Sequence, residues 1–533
     1  MRNSPRHENC PTGSNPGCSR PELRPVCRCR SSERNVAVSQ NNSAEHDHHV
    51  LAIVGSGFAG IGAAIRLAEH HRGSVVIFER ADTLGGVWRD NTYPGAACDV
   101  QSLLYSFSFA PGTDWRHTFA RQPEIRAYLE RVAREHGLLP RLRTGCAVQS
   151  ATWDSIHHRW VLETEGGTST ADHVVLATGA LADPAIPHID GLEEFGGSVF
   201  HSARWDHSVD LSGKRVAVVG TGASAIQFVP QIQPLVGALT LFQRTAPWVM
   251  PRGDTAITRR SRAAMRVVPG LQRMRRTAIY AEREAKLAAF RHPTLMAVGE
   301  REGRAHLEHA VSDPVLRKKL SPSYRMGCKR ILLSDNYYPA LAQPNVDVHT
   351  VGIDRATPEG LIDSDGTTHP VDVVIFGTGF DTSRLPLTEA IVGPDGVSMS
   401  EMWGSSPEAY MGTSVTGFPN MYLMHGPNIG LGHTSVIMMF ESQLRYISGA
   451  MKWCRDRGPA TVEPTPQAQS GFARLVDSLT DGTVWTSGGC SSWYLDPTGR
   501  NSNLWPASIF GYRRRAWSFD ATHHLSRVGA EQR

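Results

Sequence analysis

The chain has no long apolar run and no large excess of charge of either sign. Across its 533 residues no stretch approaches the roughly 18 consecutive apolar residues of a membrane-spanning helix, and the N-terminus carries charges and prolines where a signal peptide would be apolar. The net charge of +4 is small for this length, so nucleic acid is not an expected partner. With 40% apolar and 20% charged residues, the composition predicts a soluble, cytoplasmic protein of two or three domains.

The nine cysteines include no Cys-x-x-Cys motif, which argues against the redox-active pair that a disulfide reductase needs. Four of them lie near the N-terminus, at Cys10, Cys18, Cys27 and Cys29, but their spacing is not that of a zinc ribbon or finger. Residues 1–48 are rich in Ser, Asn, Pro, Arg and His, which favours a disordered tail or a start codon assigned too early. No metal site is expected.

A glycine-rich turn follows the first apolar run of the chain. It has the spacing Gly-x-Gly-x-x-Gly through Gly55, Gly57 and Gly60, which by itself is a weak signal. Its context strengthens it, because a buried strand precedes it, a helix is predicted over 58–71, and a second apolar strand ends at Glu79. A pyrophosphate fits at the N-terminus of such a helix, and Glu79 is placed to bind an unphosphorylated ribose. This unit predicts an FAD site.

The same pattern recurs later in the chain with the opposite charge at its end. Its turn consists of Gly220, Thr221, Gly222 and Ala225. Arg244 occupies the position that Glu79 has in the first unit. A carboxylate there would repel a 2′-phosphate, whereas a guanidinium can bind one through two hydrogen bonds. The second unit therefore predicts NADPH rather than NADH, and the two units together predict an α/β fold.

A third motif lies between the two glycine turns. It has the pattern Phe-x-Gly-x-x-x-His-x-x-x-Trp-Asp, formed by Phe195, Gly197, His201, Trp205 and Asp206. With this motif and the two turns, the chain resembles the type I Baeyer-Villiger monooxygenases, flavoproteins that insert oxygen beside a ketone carbonyl, over about residues 50–515. The related flavin-containing monooxygenases carry a similar run that ends in Tyr or Phe, where this chain has Trp205.

The resemblance implies a particular domain organisation. The NADP domain, at 190–252 and 326–376, would be inserted into an FAD domain formed by 49–180 and 377–533, and 253–325 would form a helical insertion. The insertion carries a cluster of arginines at Arg259, Arg260, Arg262, Arg266, Arg273, Arg275 and Arg276. A solvated helix face is the favoured interpretation of this cluster, and contact with a membrane surface or an acidic partner is the alternative.

The resemblance also assigns roles to individual residues. Beyond the first turn and Glu79, the implied FAD contacts are Gly86, Val87, Trp88, Asp99 and Tyr105. Arg330 matches the family's catalytic arginine, and Asp99 would pair with it and set the position of its guanidinium. Lys329 would join Arg244 at the 2′-phosphate.

His201 and Trp205 complete the implied catalytic set. The resemblance places both at the linker between domains, where they would help the NADP domain to move instead of contacting the reacting atoms. The run from Gly426 to Ser435 resembles the family's second flavin-contacting loop, and the motif from Cys490 to Tyr494 is expected to close over the nicotinamide end.

The implied reaction uses FAD, NADPH, molecular oxygen and a ketone, and yields an ester or lactone through a flavin peroxide and the adduct that it forms with the ketone, both stabilised by Arg330. A monooxygenase acting on sulfur or amine nitrogen is the main alternative, because a protonated flavin hydroperoxide is the electrophile for such soft nucleophiles. A flavin-dependent redox sensor is a weaker alternative. The ketone and the oligomeric state are left open by the sequence.

Overall fold

A computed structural model describes residues 47–69, 74–382, 385–458 and 460–528. The four N-terminal cysteines lie outside these ranges. The strands in chain order are β1 (Asp47–Val54), β2 (Val75–Phe78), β3 (Leu142–Arg143), β4 (Val148–Asp154), β5 (Arg159–Thr164), β6 (Gly167–Leu176), β7 (Ser198–His201), β8 (Arg215–Val219), β9 (Ala238–Phe242), β10 (Val249–Met250), β11 (Leu332–Leu333), β12 (Val346–His349), β13 (Ile353–Thr357), β14 (Gly360–Asp363), β15 (Thr368–Pro370), β16 (Val373–Phe376), β17 (Ile391–Val392), β18 (Met421–Leu423), β19 (Ala460–Pro464) and β20 (His524–Val528).

The helices are α1 (Phe58–Ala68), α2 (Val87–Asp90), α3 (Gln122–Glu135), α4 (Ala225–Ile232), α5 (Arg259–Val267), α6 (Leu271–Ala285), α7 (Leu287–Arg291), α8 (Met296–Ala310), α9 (Pro314–Lys319), α10 (Tyr337–Leu341), α11 (Met399–Trp403), α12 (Val436–Arg455), α13 (Pro466–Thr480), α14 (Val484–Ser487) and α15 (Ile509–Arg515). Within the described ranges, none of these helices has the length and apolar character needed to cross a membrane.

The first glycine turn belongs to a sheet with the strand order β17-β4-β5-β6-β1-β2-β3. β1 lies between β2 and β6 and is parallel to both, and its last four residues are buried, as in a strand covered on both faces. β6 has two partners along one edge, because its first half pairs antiparallel with β5 and its last residues pair parallel with β18. The buried strand predicted before the first turn is thus observed.

The second glycine turn belongs to a separate sheet with the order β12-β9-β8-β16-β7. Every neighbouring pair in it is parallel. The strand that carries the turn, β8, lies beside β9, and the short β7 at the edge carries part of the Phe-to-Asp motif up to His201. The α/β class with two Rossmann-like units, predicted from the sequence, is confirmed.

The first sheet is assembled from two separated parts of the chain. β1 to β6 precede the second unit, whereas β17 and β18 follow it and return to the same sheet. The two connecting segments run side by side, and the Thr378 hydroxyl donates to the Ala185 carbonyl at 2.5 Å. The NADP-type unit is therefore inserted in the FAD-type unit, as the predicted fold requires. The numerical domain boundaries stay a prediction, and β1 begins at Asp47, two residues before the expected start of the first domain.

Residues between the two halves of the second unit form the helices α5 to α9, as predicted. The arginines on them do not all lie on a solvated face. Arg276 Nη1 donates to the carbonyl oxygens of Leu103, Leu104 and Ser106 at 2.7, 3.1 and 2.8 Å. For Arg276 the solvated interpretation is wrong, because its helix, α6, packs on the first domain and the guanidinium satisfies carbonyls at the contact.

A small antiparallel sheet, β13-β14-β15, lies between β12 and β16 of the second unit in the chain. Its possible metal-ligating side chains, Asp363 and His369, lie with His349 so that one ligand atom of each is within 4.8 Å of the others. His369 Nε2 is 2.9 Å from Asp363 Oδ2, and Asp363 Oδ1 accepts the N–H groups of Asp365 and Thr367. These contacts close the turn between β14 and β15, which accounts for the carboxylate's position without a metal.

Candidate active site

The turn between β1 and α1 is shaped by glycines with different roles. Gly55 has a φ of +103°, and a Cβ there would lie 2.5 Å from the carbonyl oxygen of Ala177. At Gly60 a Cβ would overlap the carbonyl oxygen of Gly55, so α1 packs directly on the turn. Gly57 instead faces only Gly86, whose Cα would be 3.6 Å from an added Cβ. Gly57 and Gly86 therefore line an open cradle at the N-terminus of α1, where a pyrophosphate fits.

Glu79 lies at the end of β2, beside this cradle, and is only 4% exposed. Ser56 donates to its Oε2 through the backbone N–H at 3.0 Å and the hydroxyl at 2.6 Å. Its Oε1 accepts from the Ala81 N–H at 3.0 Å and from Arg89 at 2.9 Å. Burial alone would raise the pKa of Glu79, but these donors outweigh burial and hold the pKa below its usual value. The side chain is therefore an ionised acceptor at the predicted ribose position.

Aromatic side chains form a wall next to the cradle. Val87 and Trp88 begin the short helix α2 directly after Gly86, and Trp88 Nε1 donates to the Tyr105 hydroxyl at 3.0 Å. The Tyr105 ring packs edge-on against Phe58, the first residue of α1, with 5.0 Å between ring centroids. The predicted FAD residues of this segment therefore lie together with the first glycine turn.

The N-terminus of α12 supplies unpaired polar groups. Ser435 is the N-cap residue of this helix but its side chain caps no backbone N–H, and the hydroxyls of Ser435 and Thr434 are buried without a partner in the described part of the chain. Buried hydroxyls almost always have a partner in native proteins. Since this run was the predicted second flavin loop, the residues present fit the polar edge of a bound FAD.

The second turn has the same backbone shape with more room. Gly220 also has a φ of +103°, and a Cβ there would lie 2.6 Å from the carbonyl oxygen of Gly377. At Gly222 the same oxygen would be 3.5 Å away, which is ordinary contact. Ala225 begins α4 and is fully buried, and Thr221 donates to the Thr245 carbonyl at 3.4 Å. The turn therefore fits a second dinucleotide.

Arg244 and Lys329 lie close together beyond the end of β9. Burial and the nearby charge of Arg244 both lower the pKa of Lys329. Neither cation forms an ion pair with an acid in the described part of the chain. Like charges held near each other are destabilising unless an anion lies between them. The pair therefore fits the predicted 2′-phosphate of NADPH.

Asp99 and Arg330 form an ion pair across 231 residues of sequence. Arg330 donates to Asp99 Oδ2 through Nε at 2.8 Å and through Nη2 at 2.6 Å. Desolvation would raise the pKa of Asp99, but Arg330 outweighs it and keeps the pKa below its usual value. Asp99 in turn raises the pKa of Arg330. Both groups are therefore charged, and the carboxylate fixes the guanidinium.

Three further residues surround this ion pair, and of these the sequence indicated only Tyr494, as part of the motif from Cys490 to Tyr494. The Tyr494 hydroxyl, in a side chain only 2% exposed, faces the Arg330 guanidinium. Arg252 Nη2 donates to the Cys98 carbonyl at 2.8 Å, and Arg283 Nε donates to Gln101 Oε1 at 2.8 Å. No local pattern separates Arg252 or Arg283 from other arginines.

His201 and Trp205 lie in the second unit and have no contact with Asp99 or Arg330 in the described residues. The His201 ring packs edge-on against Phe380 in the connecting segment, with 5.8 Å between centroids. Burial lowers the pKa of His201 to about 4, although the Gly379 backbone opposes this, so the ring is neutral at pH 7. The Trp205 ring lies 5.3 Å from that of Phe228 in α4. His201 therefore connects the NADP-type unit to its linker, whereas Trp205 packs inside that unit, between β7 and α4.

A disulfide joins Cys328 to Cys490. Cys328 precedes Lys329 and Arg330, and Cys490 opens the loop that carries Tyr494. The sequence does not indicate this pairing, because 162 residues separate the two cysteines and no motif spacing connects them. The bond ties the loop at 490–494 to the segment that supplies Lys329 and Arg330.

Comparison with known proteins decides the family. The family profile of the pyridine nucleotide-disulphide oxidoreductases matches residues 49–286. A Baeyer-Villiger monooxygenase of Streptomyces coelicolor is 48% identical over 90% of this chain and 93% of its own length. The chain belongs to the Baeyer-Villiger monooxygenases. A second family member, from Pseudomonas aeruginosa, is 45% identical over 92% of this chain and 94% of its own length.

A solved structure of the family agrees with the fold. Cyclohexanone monooxygenase from Rhodococcus sp. Phi1 bound to NADP+ has a TM-score of 0.79 and 27% identity to this chain, covering 91% of this chain and 100% of that one. The resemblance seen in the sequence is thereby confirmed. In this Baeyer-Villiger monooxygenase family member, the two glycine turns, the basic pair and the Asp99–Arg330 ion pair belong to one compact unit of residues 46–533.

Proposed function

We propose that this protein is an FAD-containing monooxygenase that uses NADPH and O2 to convert a ketone to an ester or lactone. The observation that carries the proposal is the Asp99–Arg330 ion pair, which presents a fixed cation next to the predicted flavin segment. The reaction needs two cofactors. The first turn fits FAD, and Arg244 and Lys329 fit NADPH.

Bound FAD, once reduced by NADPH, supplies activated oxygen; the chain's own residues control the charge around it. Arg330 donates to Asp99 through Nε and Nη2, so the carboxylate fixes the plane of the guanidinium while its charge remains available to the reacting oxygen atoms. A preoriented cation stabilises negative charge on the transferred oxygen and on the carbonyl oxygen as it is attacked. Asp99 stays ionised and acts as a positioning residue, and Tyr494 covers the guanidinium from the loop at 490–494.

Oxygenation of sulfur or amine nitrogen is the second candidate. That chemistry needs a proton on the oxygen that is transferred. Neither member of the ion pair offers one, since Asp99 is ionised and Arg330 holds its proton more tightly than usual, and burial raises the pKa of the nearby Tyr494 hydroxyl, which also keeps its proton. The site therefore favours ketone oxygenation.

We assign His201 and Trp205 to movement of the NADP-type unit. His201 packs against Phe380 of the connecting segment, and Trp205 packs against α4 next to the second glycine turn. Linker residues of this kind absorb the change in geometry when a domain moves. Their replacement should change flavin reduction by NADPH more than it changes cofactor binding.

The expected cytoplasmic location has a consequence for the disulfide. Thiols stay reduced in the cytosol of most organisms, and cytosolic disulfides are usually transient. In that compartment Cys328 and Cys490 would be thiols for part of the protein's lifetime. Thiol labelling of protein quenched directly from cells, compared with purified protein, measures the fraction that is bonded.

The test of the function is coupling between NADPH oxidation and product. With the purified flavoprotein, addition of a ketone should speed NADPH oxidation and yield ester or lactone in place of hydrogen peroxide. Arg330→Ala should lose about 10²- to 10³-fold in ester formation, as expected for loss of one charge-stabilising group, while flavin reduction by NADPH continues. Peroxide release unchanged by every ketone of a broad panel would refute the proposal.

A further inference from the structure

The segment 98–101 collects arginines from three separate parts of the chain. Arg252, which follows β10, donates to the Cys98 carbonyl. Arg330 pairs with Asp99, and Arg283 on α6 donates to the Gln101 side chain. Three guanidiniums therefore converge on four consecutive residues.

The negative charge in this segment is less than the positive charge around it. Asp99 is the one acid among residues 98–101, and it lies in the field of Arg330, Arg283 and Arg252 together. Glu282 is also near Arg283, but it is engaged by Lys286 at 2.8 Å on the exposed side of α6. Part-buried cations that exceed their counter-ions are costly unless an anion joins them.

Arg330 and Arg283 differ in the number of guanidinium nitrogens that have a hydrogen-bond acceptor. Arg330 is fixed by two hydrogen bonds to Asp99, and in the proposed reaction it stabilises the negative charge on the transferred oxygen and the carbonyl oxygen. Arg283 uses Nε alone, for Gln101, and its two terminal nitrogens have no acceptor within the described ranges. Arg276, two turns earlier on α6, has a structural role instead: its Nη1 donates to three carbonyl oxygens, and its Nη2 is buried without a partner in the described residues. Arg283 therefore presents an unused pair of parallel donors.

Arg283 lies apart from the predicted phosphate and ribose contacts of both cofactors, although its neighbour Glu284 reaches His433 in the predicted second flavin loop. It stands on α6 of the helical insertion, which supplies no residue to either glycine turn, to Glu79, or to the basic pair. It nevertheless reaches the residue two positions beyond Asp99. The charge of Arg283 also acts on Asp99 and Arg330, so its guanidinium is a second cation beside the ion pair at which the ketone is proposed to react.

We propose that Arg283 binds a carboxylate carried by the ketone, so that the preferred substrates of this enzyme are oxo acids. The proposal rests on the function proposed above. A guanidinium and a carboxylate match through two parallel N–H···O bonds. The ketone carbonyl would lie by Arg330 and the carboxylate by Arg283. The carboxylate is unchanged by the reaction, in which one oxygen atom enters beside the carbonyl and the other leaves as water, with a hydride from NADPH and a proton from solvent.

The experiment compares acids with their neutral esters. Levulinate, its longer straight-chain homologues and their methyl esters are assayed for kcat/KM with the holoenzyme. Their equilibrium binding to the oxidised holoenzyme is followed by calorimetry. At the best chain length the acid should be preferred over its ester by about 10- to 100-fold, the range of one charge-assisted interaction. Arg283→Gln should lose this preference in both binding and turnover, and Arg283→Lys should keep part of it.

The matched control is Arg273→Gln. Arg273 is exposed on the same helix, so this variant removes the same charge from α6 without touching the site. It should keep the full preference for acids.

Three results would overturn the assignment. Esters could equal or exceed acids at every chain length. Arg273→Gln and Arg283→Gln could lose the same preference, which would indicate a general field effect. Arg283→Gln could lose bound FAD, which would make Arg283 a cofactor ligand. In each case ketone turnover by the unsubstituted enzyme continues. Failure of the proposed function looks different, since neither acids nor esters would then be oxygenated.

Discussion

The two dinucleotide-binding units have the same backbone conformation at their glycine turns but differ in the side chains that pack around these turns. In each unit the first glycine of the turn has a φ of +103° and lies against a carbonyl oxygen at the end of the connecting strand. In the first unit the residue directly after that strand is Ala177, and the helix carries Gly60. In the second it is Gly377, and the helix carries Ala225. Each contact between helix and strand end thus contains one methyl group, which belongs to the strand side in the first unit and to the helix in the second. The available volume is therefore fixed at this contact, whereas the side that carries the methyl group is not.

The charged residues that follow the two turns differ in a second respect. Glu79 is buried and saturated by hydrogen bonds from Ser56, Ala81 and Arg89. Arg244 is exposed and has no acid partner in the described ranges. The first unit is therefore a closed, preorganised site, suited to a cofactor that stays bound. The second is open, suited to one that enters and leaves in each cycle.

Gly60→Ala should have the largest effect on this comparison. The added Cβ would overlap the Gly55 carbonyl oxygen, so the turn must open and the pyrophosphate cradle is lost. We expect the variant to retain less than a tenth of its FAD, since a backbone overlap of this kind costs several kcal/mol. Flavin absorbance relative to protein absorbance measures the loss, and far-ultraviolet circular dichroism reports whether the fold persists.

Gly222→Ala is the matched substitution in the second unit. Its Cβ would lie 3.5 Å from the nearest backbone oxygen, so FAD content and fold should be unchanged while NADPH binds more weakly. Equal FAD retention by Gly60→Ala and Gly222→Ala would contradict the distinction between a closed and an open turn.

The features of the site that could be predicted are those that short stretches of sequence determine. Both glycine turns are recognised from the strand–turn–helix pattern. The same pattern places Glu79 after the first turn and Arg244 at the equivalent position after the second. Asp99 and Arg330 are distant in sequence, and they were paired through the family resemblance. The Cys328–Cys490 bond and the approach of Arg283 depend on how α6 and the C-terminal loop pack, which no periodicity in a single sequence encodes. The buried role of Arg276 was missed for the same reason.

Arg244→Ala should have an intermediate effect, confined to the open unit. It removes one of the two cations that fit a 2′-phosphate and leaves the turn intact. The preference for NADPH over NADH, measured as a ratio of kcat/KM values, should fall by about 10- to 100-fold. The loss should appear as a higher KM for NADPH. Lys329→Ala should act in the same direction. An unchanged preference in Arg244→Ala, with normal FAD content, would show that the 2′-phosphate binds elsewhere.

Glu79→Gln should have the smallest effect on cofactor binding. It removes a charge from the closed unit without changing the volume of the side chain. The amide keeps the side-chain volume but loses the charge that accepts from Ser56 and Arg89, so FAD should dissociate roughly tenfold faster. Because the pKa of Glu79 is lowered in the folded protein, its contribution is complete above the unfolded pKa of about 4.3 and is lost as the pH falls through the folded value. The difference in FAD retention between the unsubstituted protein and Glu79→Gln should therefore be constant from pH 8 to about pH 5 and should shrink in stronger acid. A difference that grew as the pH fell would mean that Glu79 holds the turn as a neutral acid. The closed unit would then owe its tightness to packing around Gly60 and not to a buried charge.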